Sequence, residues 1–272
     1  MVADLHIHTY FSDGSQSPEE VVQIAKKKGL AVISVCDHDT VAAYSRLRPA
    51  CEAAGIRLVQ GVELDVYWKE QQVHLLAYNF DSSHAPMSEL MQKSRAELDY
   101  TSVELIENME KAGQPVSVSG YAAYEMPLGR GGWKGINYLL DKGVISDLKH
   151  WQNLYREYGG GDPDFPSVEK ACRIIKSAGG IPVLAHPGNR WPDRVPDFPD
   201  ILSKLKSCGI EGVECYHPDH TAEMTDACLD FCRRNDMRIT CGGDGHGCFL
   251  DERYDIGVLK VDMNDLDLRG II

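Results

Sequence analysis

Two histidines near the amino terminus stand at a spacing that suits metal binding. His6 and His8 end an apolar run, and Asp13 follows after a short polar stretch. Side chains at positions i and i+2 of a β-strand point to the same face, so both imidazoles can approach one point. A turn after the strand can bring Asp13 back toward them. The opening segment therefore predicts part of a metal shell.

Further histidines and carboxylates recur at or near the ends of later apolar segments. They occur in Asp37-His38-Asp39, in Gly61-Val62-Glu63, at His74, in Ala185-His186-Pro187-Gly188 and in Gly243-Asp244-Gly245-His246. A single histidine in an apolar strand is more often a hydrogen-bonded core residue than a ligand. Six of the ten histidines nevertheless fall at one predicted rim, and separate core roles do not explain that pattern.

The donor atoms indicate which ions such a site would hold. The nine predicted metal ligands are His6, His8, Asp13, His38, Glu63, His74, His186, Asp244 and His246. Imidazoles mixed with carboxylates suit Mn²⁺, Fe²⁺ or Zn²⁺ better than Ca²⁺ or Mg²⁺ alone, and Mg²⁺ is kept as a further option. Nine ligands exceed the needs of one ion, so we expect two or three divalent ions.

Seven apolar, β-branched runs predict the strands that position these ligands. They cover residues 2–6, 31–36, 57–63, 72–78, 181–185, 209–215 and 237–242. Helical patterns alternate with several of them, the first opening on a capping box at Ser17 and Glu20. This alternation predicts a parallel α/β fold with crossover helices, and in α/β barrels the carboxyl-end rim carries the active site. Seven strands favour a barrel of the same kind that has one unit fewer or is distorted.

One stretch, residues 87–165, breaks the alternation. It contains a long helical pattern, the glycine-rich segment 129–132, two further helical patterns and a glycine-rich return at 159–163. We predict a helical insertion over the carboxyl-end rim, a lid or substrate domain at 87–165. The barrel domain would then comprise residues 1–86 and 166–272.

Composition narrows the class of partner and the compartment. A net charge of −13 repels a long polyanion, so we do not expect long nucleic acid as the partner. No segment approaches the roughly 20 apolar residues of a membrane span, and no signal peptide is evident. Nine cysteines without C-x-x-C pairs indicate reduced thiols. We expect a cytoplasmic protein without membrane attachment, and the oligomeric state stays open.

The ligand motifs, taken in order, resemble a known family. H-x-H-x(4)-D, D-H-D, G-V-E, V-H, A-H-P-G and D-x-H resemble the PHP (polymerase and histidinol phosphatase) family over essentially the whole chain. The insertion and the segment Tyr216-His217-Pro218-Asp219-His220 are most similar to stand-alone bacterial phosphoesterases, which include nucleoside 3′,5′-bisphosphate phosphatases and RNA 5′-end exonucleases. The resemblance implies a distorted (β/α)7 barrel with two or three ions.

The resemblance also implies how the ligands are shared. One ion would be held by His6, His8, Glu63 and Asp244. Glu63 would bridge to a second ion completed by His74 and His186. A third ion would be held by Asp13, His38 and His246.

The reaction implied is metal-dependent hydrolysis of a phosphomonoester, with a hydroxide that bridges two ions attacking phosphorus. The expected substrate is a small phosphorylated nucleotide, such as a nucleoside 3′,5′-bisphosphate or monophosphate. The predicted catalytic residues are Glu63, Asp13, His38 and His217. The predicted substrate-binding residues are Arg130, Lys134, Arg190, Arg95 and His217.

Two departures from the family pattern and several alternatives remain. Relatives often carry an aromatic residue between the last two ligands, where this chain has Gly245, and a histidine soon after the position of Arg130, where it has Gly131-Gly132-Trp133. Trp133 and Tyr216 are both considered for stacking on a base, with packing under the insertion as the simpler interpretation. The alternatives are a 5′–3′ exonuclease on short RNA or DNA, a histidinol-phosphate-type phosphatase, an amidohydrolase and a metal-dependent nucleotide-binding module.

Overall fold

Seven strands form one sheet in which the strands follow chain order. The computed structural model describes residues 1–147, 151–159 and 162–272. The strands are β1 (Val2–Ile7), β2 (Leu30–Val35), β3 (Arg57–Trp68), β4 (Gln71–Tyr78), β5 (Ile181–Leu184), β6 (Gly212–Tyr216) and β7 (Arg238–Cys241). A bridge between Ile7 and Gly245 brings the two edges of the sheet together. The predicted α/β class and distorted barrel are confirmed.

Helices cover the sheet and fill the long connection after β4. They are α1 (Pro18–Lys28), α2 (Tyr44–Ala54), α3 (Ala85–Lys111), α4 (Val118–Ala122), α5 (Lys134–Asp141), α6 (Trp151–Tyr158), α7 (Val168–Ser177), α8 (Pro187–Arg190), α9 (Phe198–Cys208) and α10 (Ala222–Asn235). The predicted capping box of α1 forms between Ser17 and Glu20, and the helix ends at Gly29 with φ of 73°. None of the helices in the described ranges is long and apolar enough to cross a membrane.

The expectation of an entirely parallel sheet is wrong for one strand. β4 pairs antiparallel with both β3 and β5, whereas the other neighbouring strands pair in parallel. Only Lys69 and Glu70 join β3 to β4, with Lys69 at φ of 59°. Two residues suffice for a hairpin but not for a crossover, so the chain must reverse. The reversal places His74 opposite Asp65.

The long connection between β4 and β5 is helical, as predicted. Helix α3 packs its first turns, with Met87, Leu90 and Met91, into the main core under the sheet. Its last turns, with Leu105 and Met109, belong to a separate apolar cluster shared with α5. One helix therefore links two cores, and the division of the chain at residues 87 and 165 stays a prediction.

Candidate metal centre

The first group of donors forms around the end of β1. Nε2 of His6 and Nε2 of His8 each lie 3.1 Å from Glu63 Oε2. His8 Nε2 also lies 3.1 Å from Asp244 Oδ1. These four side chains are buried, and each has a donor atom within 4.8 Å of one in every other. The i and i+2 spacing thus aims two imidazoles at one point, as predicted.

A second group forms where the chain turns after β1. His246 Nε2 lies 3.3 Å from Asp13 Oδ2, and the His246 ring stacks on His8 at 4.1 Å. His38 completes this group with His8, Asp13 and His246. Asp37 holds the turn, since it accepts hydrogen bonds of 2.7 Å from both Thr9 N–H and Thr9 Oγ1. That turn brings Asp13 back to the histidines.

Glu63 lies at the centre of the cluster. Its two carboxylate oxygens lie 2.8–3.3 Å from nitrogens of five imidazoles, those of His6, His8, His38, His74 and His186. His38, Glu63 and His74 form a third donor group, and His186 Nε2 lies 3.3 Å from His74 Nδ1. The predicted strand ends at Glu63, but this prediction is wrong, because β3 continues to Trp68 and Glu63 lies within it. The structure brings all nine predicted ligands together.

Several of these atoms lack the hydrogen bonds that buried polar atoms ordinarily make. His8 Nε2 and Asp244 Oδ1 lie 3.1 Å apart, yet neither has a hydrogen-bond partner among the described residues. Buried nitrogen and oxygen atoms rarely remain unpaired in native proteins. Nitrogen and oxygen atoms that converge on a point without bonding to each other are what a divalent ion requires. The residues present therefore fit divalent metal ions.

The pKa values of the clustered residues also indicate a cation site. Burial alone would lower the pKa of His8, but its contacts with Asp244 and Glu63 outweigh burial and raise it to about 10. Burial opposes ionisation of Glu63 too, yet the surrounding imidazoles hold its pKa well below its ordinary value. In the absence of ions, a protonated His8 offsets part of the negative charge of these carboxylates. The site is built to hold positive charge.

Two buried carboxylates that sequence reasoning missed hold ligand imidazoles from behind. Glu214 on β6 lies 3.0 Å from His6 Nδ1 and accepts a 2.8 Å hydrogen bond from the backbone N–H of His186. Asp65 on β3 lies 3.3 Å from His38 Nδ1 and 3.1 Å from His74 Nε2. Such contacts fix the orientation of a metal-binding imidazole.

Both residues could have been predicted from their positions in the sequence. Asp65 follows Glu63 at i+2, which places it on the same face of β3. Glu214 is a lone charge inside the apolar run Gly212–Tyr216. A buried charge rarely persists without a partner, so each position predicts a contact with a cation or an imidazole.

A cavity of about 500 Å³ adjoins the cluster and separates it from the insertion. Arg190 and Lys134 line it, and Arg190 Nη2 lies 3.1 Å from His74 Nε2. Arg95 lies over the ring of Trp133, which also lines the cavity. Arg130 instead pairs with Asp141 at 2.7 Å and does not line the cavity. A substrate role for these cations stays a prediction.

His217 lies beside the cluster, with its ring centroid 5.3 Å from that of His186. Its Nδ1 accepts a 3.2 Å hydrogen bond from the backbone N–H of Asp219, which leaves the proton of a neutral ring on Nε2. Nε2 lies 3.6 Å from Asp244 Oδ2 and has no hydrogen-bond partner in the described part of the chain. This arrangement suits a hydrogen-bond donor better than a metal ligand. Its predicted catalytic and substrate roles stay predictions.

Comparisons with known proteins agree with this geometry. Residues 4–118 match the PHP domain family. The chain is 30% identical over 254 residues to a 5′-3′ exoribonuclease of Haemophilus influenzae, covering 89% of each chain. It is 30% identical over 260 residues to a phosphoribosyl 1,2-cyclic phosphate 1,2-diphosphodiesterase of Eggerthella lenta, covering 92% of this chain and 95% of the relative. Over 250 residues it is 24% identical to a 3′,5′-nucleoside bisphosphate phosphatase of Chromobacterium violaceum, covering 89% and 86%.

A solved structure extends the similarity to the fold. A protein of Bifidobacterium adolescentis designated a metal-dependent phosphoesterase superimposes with a TM-score of 0.81 at 26% identity, covering 99% of this chain and 94% of that one. Sequence identity along nearly the full length of both chains, a shared fold and a convergent histidine–carboxylate cluster all lead to one conclusion. This chain belongs to the PHP family and is a metal-dependent phosphoesterase.

Proposed function

We propose that this enzyme hydrolyses the phosphomonoester of a small phosphorylated nucleotide, such as a nucleoside 3′,5′-bisphosphate or monophosphate. The observation that carries the proposal is a ligand cluster that opens into a cavity of about 500 Å³. That volume is within the range of small-molecule sites. The Chromobacterium violaceum relative, a nucleoside bisphosphate phosphatase, supports this substrate class.

We propose three divalent ions, drawn from Mn²⁺, Fe²⁺ and Zn²⁺. Two groups of four donors share His8, and at a third point nitrogens of His74 and His186 lie 2.8 and 2.9 Å from Glu63 Oε1. His6, His8, Glu63 and Asp244 would hold the first, Glu63, His74 and His186 the second, and Asp13, His38 and His246 the third. When bound, such ions supply a nucleophile at neutral pH and neutralise charge on the phosphate. Titration of the metal-free protein with each of these ions and with Mg²⁺ would compare their affinities.

The remaining polar groups would position the substrate. Arg190 stands at the edge of the cluster, and its Nε lacks a partner in the described ranges, so the guanidinium can bind phosphate oxygens. Lys134 also lines the cavity, with its Nζ 4.8 Å from the ring centroid of Tyr121, and would bind a second anionic group. His217 can donate from Nε2 to an oxygen at the cluster. Arg130 would need to leave Asp141 to take part.

A phosphate-release assay tests the proposal. We expect the Mn²⁺-loaded protein to release phosphate from nucleotides in a panel of phosphomonoesters, and expect Glu63→Gln and His186→Ala to abolish release. Asp200→Asn, which removes an exposed carboxylate paired with Lys204, is the matched control and should keep full activity. Release that is absent, or that does not depend on Glu63, would refute the function.

A second function, 5′–3′ trimming of short RNA, is favoured by the Haemophilus influenzae relative. It uses the same ligand cluster but needs room for a chain to leave the cavity. Incubation with 3′-labelled oligonucleotides distinguishes the two functions. A ladder of successively shorter labelled products indicates an exonuclease, whereas loss of terminal phosphate alone indicates a phosphatase.

We further propose a cytoplasmic location and a separate helical unit at residues 87–165. All nine cysteines are free thiols, which supports a reducing compartment. The apolar cluster shared by α3 and α5 supports a distinct unit over the rim. Limited proteolysis tests the division: excision of these helices should leave the segments 1–86 and 166–272 associated with each other.

A further inference from the structure

Trp133 lies where the insertion faces the metal centre. Its ring centroid is 5.6 Å from that of His38, and its side chain lines the cavity. It is only partly buried, although the segment around it is packed tightly. An aromatic ring of this size beside a ligand imidazole is positioned to contact whatever the metal centre binds.

The backbone before Trp133 holds the ring in this position. Gly131 and Gly132 have φ of 76° and 72°, and a Cβ at either would lie 2.5–2.7 Å from Phe249. The N–H of Gly132 donates a 2.7 Å hydrogen bond to the carbonyl of Asp13. The position of Trp133 is therefore coupled directly to the turn that carries Asp13.

A cation supports the ring. The guanidinium of Arg95 lies over Trp133 at 5.1 Å from the ring centroid, and its Nη1 is buried without a hydrogen-bond partner among the described residues. The Arg95 side chain as a whole is only partly buried, and the Asp39 carboxylate interacts with it electrostatically. A cation–π contact would hold the indole rigid and keep it available for stacking.

The rest of the cavity is also rich in rings. The other aromatic residues that line it are Tyr67, Tyr121, Tyr155 and Phe165. Aromatic rings bind nucleobases by stacking and do so with little dependence on base identity. Polar side chains of the same wall, such as Gln72 and Ser102, can bind the sugar hydroxyls of any such ester, so stacking is the contact that a base adds.

We propose that Trp133, supported by Arg95, is the stacking platform for the base of the substrate, so that the enzyme selects nucleotides over base-free sugar phosphates. This deepens the proposed function and rests on it. Among the relatives, one acts by name on RNA and another on a phosphoribosyl compound. In this enzyme, stacking on Trp133 would favour a substrate that carries a base over one that does not.

Adenosine 5′-monophosphate and ribose 5-phosphate form a matched substrate pair, since both carry the same ester and differ in the base. We expect the wild-type ratio of their kcat/KM values to favour the nucleotide by about tenfold or more, as stacking on one aromatic side chain allows. Trp133→Leu should lower that ratio at least about fivefold, and Trp133→Phe should retain most of it. Tyr100→Leu, an exposed aromatic residue of α3 outside the cavity, is the control.

Two kinetic results would overturn the proposal. One is equal use of both substrates by the wild type, and the other is a Trp133→Leu variant that loses activity on both equally, which would indicate packing. Binding gives a readout independent of turnover: adenosine should quench a fluorescence component that Trp133→Phe lacks, and ribose should not. Quenching without phosphate release from either ester would contradict the proposed function while supporting the platform, and absent quenching would contradict the platform.

Discussion

At the residue scale, Glu63 is the carboxylate that lies at the centre of the ligand imidazoles. Its carboxylate lies against five imidazoles and is almost fully buried. A carboxylate in that environment stays ionised because the imidazoles outweigh the cost of burial. An apolar side chain in its place would leave several buried imidazoles with no acceptor.

Replacing Glu63 with Gln keeps the shape of the side chain and removes its charge. We expect at least roughly a 10³-fold loss of kcat, because the lost stabilisation amounts to several kcal/mol. Metal analysis should show fewer bound ions per chain. Glu70→Gln, on the exposed β3–β4 turn, is the matched control and should behave as wild type. Full metal content and activity in Glu63→Gln would show that Glu63 does not bridge ions.

Asp65→Asn tests whether the carboxylate behind two ligands positions them. Asp65 contacts His38 and His74, which belong to different proposed ion sites. We expect metal affinity or activity to fall about 10- to 100-fold, as for other outer contacts to ligand imidazoles. A metal titration monitored by competition with a chelator separates weaker binding from slower chemistry. Wild-type affinity together with wild-type kcat would contradict the positioning role.

At the element scale, the hairpin and the insertion set the site. The turn at Lys69 reverses β4, so that His74 faces the same rim as ligands from the parallel strands. In the insertion, Gly131 and Gly132 before α5 pack on Phe249, and the N–H of Gly132 donates a hydrogen bond to the carbonyl of Asp13. The insertion is thus attached to two ligand-bearing loops, and changes in one should reach the other.

Gly132→Ala tests that attachment. The added methyl group would lie 2.7 Å from the Phe249 ring at a φ of 72°, so both contact and backbone conformation oppose it. We expect a loss of about 2 kcal/mol or more in the free energy of unfolding, together with weaker metal binding. Denaturant unfolding and metal titration measure the two effects.

Gly143→Ala is the matched control for this change. Gly143 also has a positive φ, of 67°, but nothing lies within 4 Å of an added Cβ. It should cost about 1 kcal/mol from backbone conformation alone and leave metal binding unchanged. Equal effects of the two substitutions on metal binding would show that the contact with Phe249 does not couple the insertion to the site.

At the scale of the whole molecule, the site concentrates charge in an acidic protein. The net charge is −13, and buried carboxylates at the cluster contribute to it. Ions bound there would reduce this self-repulsion. Metal loading should therefore stabilise the entire fold as well as enable the reaction.

The pH dependence of stability in the metal-free protein follows from the raised imidazole pKa values. Those of His8 and His38 rise from 6.5 to about 10, because nearby carboxylates outweigh burial. A raised folded-state pKa gives stability that is complete below about pH 6.5 and is lost as the pH rises toward about 10. We expect the Tm measured in EDTA to fall between about pH 7 and about pH 9.5.

Metal ions should remove most of that fall. Ions replace the protons on the ligands, so their binding releases protons and strengthens as the pH rises. Thermal unfolding with saturating Mn²⁺, scanned over the same pH range, checks this expectation. A metal-free Tm that stays constant or rises with pH would contradict it, as would Mn²⁺ binding that weakens toward high pH.

The sequence by itself determined the ligand types and the rim on which they meet. Two sequence features suffice for this prediction: the period-two spacing in His6-Ile7-His8 and the polar residues at the ends of apolar runs. Both depend on geometry within one strand or between neighbouring strand–helix units. The same logic predicted an α/β fold with a helical insertion.

Only the tertiary structure decided the features that depend on contacts between residues far apart in the sequence. β4 runs antiparallel, Glu63 lies at the centre of five imidazoles, and Asp65 and Glu214 hold ligands from behind. Arg130 pairs with Asp141, whereas Arg190 and Trp133 reach the cavity. A sequence shows which side chains carry charge or rings, but which of them meet is decided by the strand pairing and packing that bring distant segments together.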